Sequence, residues 1–400
     1  MISNAATHKV PPMATRKRKP AASQTAPRTE PAGTPGSKPP TGGLSVIRES
    51  IDAIDARIHA LLNERARFAQ QVGISKSASG RAVDFYRPER EAEVLRMALK
   101  RNQGPLRDEE IARLFREIMS ACLAQQEPLK VAFLGPEGTF SQAAVLKHFG
   151  SSVRALPLPA IDEVFQEVEG GVADFGVVPI ENSSEGTVNH TLDMFLTSAL
   201  KICGEVELRI HHHLMGKMKG FEQIQRICAH PQALAQCRGW LDEHLPDVER
   251  VPVASNAEGS RRARDERGSA AIAGRSAAEI YGLNLLANEI EDRPDNTTRF
   301  LVIGRKLFSA SGSDRTTLLL STSGTDDAGA LFRLLEPLAI HRVNMTRIES
   351  RPSRKRKWDY VFFIDIEGHV SDAPVAAALA VLQERASLYK VLGSYPQAVL

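Results

Sequence analysis

The feature that most constrains this chain is a heptad seam near its start. Ile47, Ile51, Ile54, Ile58, Leu61, Arg65, Phe68 and Val72 step by 4, 3, 4, 3, 4, 3 and 4 residues. That spacing predicts a helix packed along its whole length against other helices. No glycine precedes Gly73 between Leu44 and Lys76, so a single helix of about 48 Å is expected at ~1.5 Å per residue. A helix that long in an 84-residue module (44–127) needs a partner, and dimerisation by long antiparallel helices is the natural solution. One seam position, Arg65, is a guanidinium. Arg65 and Lys76 are 11 residues apart and return to within about 20° of one face. Arg48 lies 17 residues before Arg65, about 100° round the helix and far along its axis, so it would share their space only from a second chain. An unpaired buried guanidinium costs several kcal/mol. Arg65 therefore meets an anion, either a carboxylate that tunes helix register or a bound ligand, and periodicity leaves both open.

Composition narrows the class. The 400 residues, 42% of them apolar, suffice for two to four domains. No run of 18 apolar residues occurs, so no transmembrane helix is expected. Cys122, Cys203, Cys228 and Cys237 form no CxxC pair, and a reducing cytoplasm is the simplest setting. The net charge is +3, but residues 1–43 carry seven Lys/Arg against one Glu, which leaves −3 for the rest. That tail holds eight of the 23 prolines and is expected to be disordered. Its "TRKRKP" run (15–20) and the later "SRKRK" (353–357) raise a nucleic-acid-binding protein as a rival class. The negative balance of the remaining chain argues against it. The scarcity of acids in the tail also fits an organellar transit peptide, while a solvated extension asks least.

Residues 44–127 read as helices, with further segments from about Pro88 to Arg101 and from Asp108 to Gln126. "VIRESIDAIDARIHALLNERARFAQQVGISK", "DFYRPERE" and "RLFREIMSACLAQQ" together resemble the all-α AroQ chorismate mutases. The resemblance implies that Arg48 of a second copy, Arg65 and Arg87 hold the two carboxylates of chorismate. It puts Lys76 and Gln126 at the ether oxygen, Asp84 near the ring hydroxyl, and Cys122 at a secondary position that is serine in the family. A pericyclic rearrangement needs no nucleophile, only a folded substrate and stabilisation of charge growing on the breaking ether oxygen. Pro88 departs from the family, which often has Glu directly after the Asp-x-x-Arg arginine. Proline is well placed there as a first helical residue. This departure raises a rival in which only the downstream activity survives and the helices serve dimerisation.

From "LKVAFLG" (129–135) strands alternate with helices. "GPEGTFS" opens a helix after a strand, where backbone amides can cradle a carboxylate. "VADFGVVPIENSSEGTVNHTLD" (172–193) crowds Glu181, Asn182, Ser183, Glu185 and Thr187 around Gly186 at a strand end, a usual place for a site. With "HPQALAQC" (230–237) and "NTTRF" (296–300), these four ordered motifs resemble the prephenate dehydratases over 129–305. The resemblance implies two α/β lobes, like type II periplasmic binding proteins, with the site between them. It makes Thr298, Arg299 and Phe300 the catalytic signature: Thr298 would help hydroxide leave, and Arg299 would orient the loop or bind a carboxylate. Glu181 and Glu185 are alternative proton sources. The "HHH" run (211–213) suggests a metal, but consecutive strand residues point to alternate faces. No metal or other cofactor is expected for either reaction.

Residues 315–400 read β–α–β–β–α–β, the order of an α+β ferredoxin-like module. "GALF" and "ESRP" resemble motifs of the ACT domains attached to prephenate dehydratases, with Phe332 replacing a valine. By that resemblance Gly329, Ala330, Leu331, Glu349, Ser350, Arg351 and Pro352 bind regulatory phenylalanine. The combined expectation is a dimeric cytoplasmic enzyme that turns chorismate through prephenate into phenylpyruvate under phenylalanine control.

Overall fold

A computed structural model describes residues 43–77, 86–126, 128–322, 328–353 and 360–399. Nearly all of the tail, Asp84 and most of the second basic run lie outside these residues, as does the side chain of Lys76. The chain divides into two units, 1–58 and 59–400, with the boundary inside the first helix.

Three helices come first, α1 (Leu44–Ser77), α2 (Pro88–Arg101) and α3 (Asp108–Ala124). The apolar seam positions of α1 are exposed in the single chain. Pro88 opens α2, where a missing N–H breaks no helical bond, and Lys100 and Arg101 close it on the favourable side of the helix dipole. Ala92, Leu95 and Ala98 bury the inner face of α2. The third helix stops at Ala124, two residues before the predicted Gln126, whose side-chain Nε2 donates to the Ala69 carbonyl of α1 (2.7 Å).

The next region is two α/β lobes, the second inserted in the first. Lobe one comprises β1 (Lys130–Leu134), α4 (Phe140–Phe149), β2 (Arg154–Leu158), α5 (Ile161–Glu169), β3 (Phe175–Asn182), β4 (Gly186–Thr187), α6 (Asn189–Phe195) and β5 (Lys201–Arg209). Lobe two comprises β6 (His213–Gly216), β7 (Arg226–Ala229), α7 (Pro231–Gln236), α8 (Arg238–His244), β8 (Glu249–Pro252), α9 (Asn256–Asp265), β9 (Ser269–Ala273), α10 (Arg275–Tyr281) and β10 (Asn284–Ala287). The chain then returns through β11 (Thr297–Gly304), which enters the first sheet between β3 and β5. The sheet orders are β2-β1-β3-β11-β5, with β4 on β3, and β10-β6-β9-β7-β8.

The C-terminal module runs β12 (Asp314–Ser321), α11 (Ala330–Ile340), β13 (Met345–Pro352), β14 (Tyr360–Glu367), α12 (Ala373–Arg385) and β15 (Leu388–Pro396). Its antiparallel sheet, β13-β14-β12-β15, has the predicted ferredoxin-like order. This sheet shares a core with lobe one: Leu319, Phe363 and Leu392 pack with Ile202, Leu301 and Ile303. Contact is closest at Gly393, where a Cβ would stand 2.1 Å from the Ile202 carbonyl oxygen. Only glycine fits there.

Tyr86, just before α2, sits in the core of lobe one against Phe149 and Phe175, and its hydroxyl bonds His148 Nε2 (2.9 Å). Beside it Glu91 lies 3.8 Å from Arg116. Burial raises the Glu91 carboxyl to about 7 against the pull of Arg116. A carboxyl raised in the folded state favours folding below its unfolded value and loses that contribution as pH rises through 7. Glu91→Gln should therefore gain stability relative to the parent between pH 5 and pH 8, by up to about 3 kcal/mol at ~1.36 kcal/mol per unit. Urea unfolding at the two pH values measures this, and an equal difference at both would refute the ionisation of Glu91 as its source.

Candidate active site

A cleft of about 380 Å³ opens between the lobes. Lobe one supplies Thr139, Phe140 and Ser141 at the start of α4, Asn182 at the end of β3, and Thr298 and Phe300 on β11. Lobe two supplies His230 and Gln236 of the α7 segment and Ser255 and Asn256 at the start of α9. The ends of α4 and α9 that face the cleft are N-termini, where unpaired amides and the helix dipole favour an anion. Among the described residues that line the cleft none is Asp, Glu, Lys or Arg. Its polarity comes from amides, hydroxyls, two histidines and the backbone.

A continuous hydrogen-bond network joins the cleft residues. Asn182 Nδ2 donates to Thr298 Oγ1 (2.8 Å) and to Asn296 Oδ1 (2.9 Å). Asn182 Oδ1 accepts from the amides of Ser184 (3.0 Å) and Glu185 (3.1 Å), which settles which way the amide faces. Asn296 Nδ2 donates to Gln236 Oε1 (3.3 Å), which also bonds His212 Nε2 (2.8 Å). Because Thr298 Oγ1 accepts from Asn182, its own proton is not used in that bond. His212 is buried against Phe140 (ring centroids 5.5 Å apart), and burial lowers its pKa, opposed in part by Gln236. His212 Nδ1 and Gln236 Nε2 have no hydrogen-bond partner among the described residues.

Of the nine residues expected at this site, three line the cleft: Asn182, Thr298 and Phe300. Ser183 Oγ accepts from the Thr297 amide (3.0 Å) and braces the strand. Arg299 is not in the cleft. Strand alternation turns it to the opposite face of β11, where it meets Glu205 and Asp365. Glu181 faces the same way and pairs with Arg347 (3.0 Å), and Thr187 donates to Glu349 (3.0 Å). Glu185 is exposed in the β3–β4 turn, and Gly186, exposed at the start of β4, has φ +82. The expectation that Glu181 or Glu185 is the proton source thus finds neither carboxyl among the cleft residues. His212, Gln236 and Asn296 were missed. The signal for the first was its place in "HHH": His211 bonds Glu291 (2.7 Å), His213 Nδ1 accepts from the Glu289 amide (3.3 Å), and only His212 enters the network.

In the helical module Arg65 is half-buried and Arg48 is exposed. Arg87 precedes the first residue of α2 and pairs with Glu89 (2.7 Å). Cys122 is buried and borders a groove of about 500 Å³ with Leu62, Ala66 and Glu117. Gln126 packs so closely on Gly73 that a Cβ there would lie 2.8 Å from its Cδ. In the C-terminal module Gly329 takes a left-handed φ of +79 before Ala330 and Leu331 open α11. Glu349 and Arg351 face lobe one, Arg351 pairing with Asp193 (2.8 Å), whereas Ser350 and Pro352 are exposed. Phe332 is also exposed.

Three family models match in order: Chorismate mutase type II over residues 47–127, Prephenate dehydratase over 131–307 and ACT domain over 319–384. A bifunctional chorismate mutase/prephenate dehydratase of Stutzerimonas stutzeri is 56% identical over 361 residues, covering 89% of this chain and 98% of that one. The Pseudomonas aeruginosa protein of the same description is 54% identical with the same coverage. Among solved structures, the prephenate dehydratase of Arthrobacter aurescens in complex with L-Phe is 38% identical, covering 67% of this chain and 90% of that one, with a TM-score of 0.62.

The buried network makes a prediction about protonation. A histidine of ordinary pKa is mostly protonated at pH 6, but His212, whose pKa burial lowers, should be protonated less than that, its neutral ring carrying the hydrogen on Nε2. Nitrogen-15 chemical shifts, assigned by comparison with His212→Gln, read this directly. A ring half-protonated at pH 6.5 would contradict it.

Proposed function

Because the chain belongs to the bifunctional chorismate mutase/prephenate dehydratase family, we propose that residues 44–127 rearrange chorismate to prephenate, 129–305 convert prephenate to phenylpyruvate, and 315–400 bind phenylalanine. The observation that carries the dehydratase reading is a cleft between two helix N-termini, without Asp, Glu, Lys or Arg among its described lining residues and with a donor-bearing threonine on its floor. Prephenate is a dianion, and the starts of α4 and α9 offer amides to carboxylates. The reaction takes up one proton: the ring carboxylate leaves as CO₂, its electron pair completes the aromatic ring, and the ring hydroxyl leaves as water. Asn182 orients Thr298 Oγ, so the Thr298 proton is free to bond the departing oxygen, where charge develops. Phe140 and Phe300 offer an apolar wall better suited to CO₂ than to a carboxylate. His212 Nε2 anchors Gln236 and through it the rest of the network.

For the mutase, Arg48 of a second copy, Arg65 and Arg87 hold the carboxylates, Lys76 and Gln126 address the ether oxygen, and Asp84 and Cys122 complete the pocket. Arg90 competes with Arg87 for its role, because Glu91 follows it directly and restores the Arg–Glu pair that Pro88 interrupts. The exposed seam of α1 supports a homodimer or larger homo-oligomer. Four free, buried cysteines support a reducing cytoplasm.

Purified protein supplied with chorismate should release phenylpyruvate and slow when phenylalanine is added. Arg65→Ala and Lys76→Ala should each lower mutase kcat/KM by about 10²-fold or more while sparing turnover of added prephenate. Thr298→Val should do the reverse, with a loss of about 10²–10⁴-fold. Unchanged mutase rates in both helical variants would reduce that module to a dimerisation element.

A further inference from the structure

The two faces of the cleft floor are tied differently. Thr298 and Asn182 are cross-strand partners on β11 and β3, and the next pair along is Arg299 and Glu181. Facing them, Arg347 and Asp365 are cross-strand partners on β13 and β14. Each pair holds one cation and one anion, and the two pairs meet crosswise. Arg299 Nη1 donates to Asp365 Oδ2 (2.7 Å), and Arg347 Nε lies 3.0 Å from Glu181 Oε2. One side of β3 and β11 thus carries the Asn182–Thr298 hydrogen bond of the cleft, and the other carries a four-residue clasp to the C-terminal sheet.

The clasp is stiff on one arm. Arg299 also donates from Nε to Glu205 Oε2 (2.9 Å) and from Nη2 to Tyr395 Oη (3.1 Å). Asp365 Oδ1 accepts from Thr317 Oγ1 (2.7 Å), and Arg315 closes the cluster on Glu205. Burial works against the charge on Arg299, but Tyr395, Asp365 and Glu205 outweigh it and hold the guanidinium charged. The Glu205 and Asp365 side chains are 1% and 3% exposed, so moving β14 without Arg299 would strand buried charge, which is strongly unfavourable. Arg347 lies two residues before Glu349 on the strand expected to meet phenylalanine, and Glu349 and Arg351 fasten that strand to Thr187 and Asp193.

We propose that this crossed clasp makes Arg299 and Glu181 positioning residues for Thr298 and Asn182, and that it carries the effect of phenylalanine from β13 to the cleft. The proposal rests on the reading of the cleft as the prephenate site. A ligand shifts a protein only by its differential affinity for two conformers. Here the conformers differ in where β13 and β14 hold the strands beneath Asn182 and Thr298.

The test measures prephenate turnover against phenylalanine concentration, with phenylalanine binding followed by calorimetry, in full-length Arg347→Gln and Asp365→Asn. Arg347 pairs with the part-exposed Glu181, so its variant serves if the buried Asp365→Asn fails to fold. Phenylalanine should still bind, but at saturation it should lower turnover by less than half the parent's fold-change. Glu181→Gln combined with Arg347→Gln should lose no more inhibition than Arg347→Gln alone, which a merely structural role would not produce. Full inhibition in both single variants overturns the clasp. Parent protein that turns over prephenate but ignores phenylalanine overturns this inference and the phenylalanine control read for 315–400 while leaving the cleft reading standing, whereas a parent without turnover overturns the reading of the cleft as well.

Discussion

The structure depends on a cluster of four charges, two buried carboxylates and two part-buried guanidiniums, whose ion pairs are completed only when two sheets are together. Glu205 on β5 and Arg299 on β11 belong to lobe one, while Arg315 on β12 and Asp365 on β14 belong to the C-terminal sheet. The apolar core between the sheets supplies attraction without direction. The ion cluster supplies register, because any slip leaves a charge without its partner in a medium that screens poorly. Gly393 permits the approach by letting backbone meet backbone. As a result β11 serves two bodies: Thr298 and Phe300 face the cleft while Arg299 and Leu301 face the other sheet.

The cleft follows the opposite electrostatic plan. It sets helix N-termini and amide, hydroxyl and imidazole side chains around the space, with no Asp, Glu, Lys or Arg among its described lining residues. For a decarboxylation this is apt. A lysine beside the departing carboxylate would stabilise the ground state more than a transition state whose charge is moving away into the ring, and such binding slows the chemical step. Helix N-termini can attract a dianion without a point charge at the reacting group. The mutase residues face a different demand, since both carboxylates survive the rearrangement and the ether oxygen gains charge. Fixed cations lower that barrier.

Much of this was legible in the sequence wherever a short-range period was at work. Seam spacing locates α1, Pro88 marks the start of α2, and period-two alternation in "TTRFLVIG" turns Arg299 away from Thr298. Unreadable were the partners of the turned residue. Asp365 and Glu205 are 66 and 94 residues from Arg299, and no local rule joins them. The same holds for the floor of the cleft. Asn182 stood out because its motif is crowded with polar groups, but Gln236 and Asn296 sit in motifs that read as helix and turn. Only the insertion of lobe two between β5 and β11 brings them to Asn182.

The seam that opened the sequence remains unsatisfied in one chain. Ile47, Ile51, Ile54, Ile58, Leu61, Phe68 and Val72 are 42% to 60% exposed. Complete burial of such a side chain stabilises by roughly 1.5–3 kcal/mol, so covering the exposed half of all seven yields on the order of 5–10 kcal/mol per chain. Two chains covering each other would gain about twice that, on the order of 10–20 kcal/mol against an association cost of roughly 4–15 kcal/mol. Arg65 is the exception within the stripe, since covering it without an anion would subtract several kcal/mol. A seam that is apolar apart from one guanidinium therefore favours pairing most when a carboxylate is present to meet Arg65.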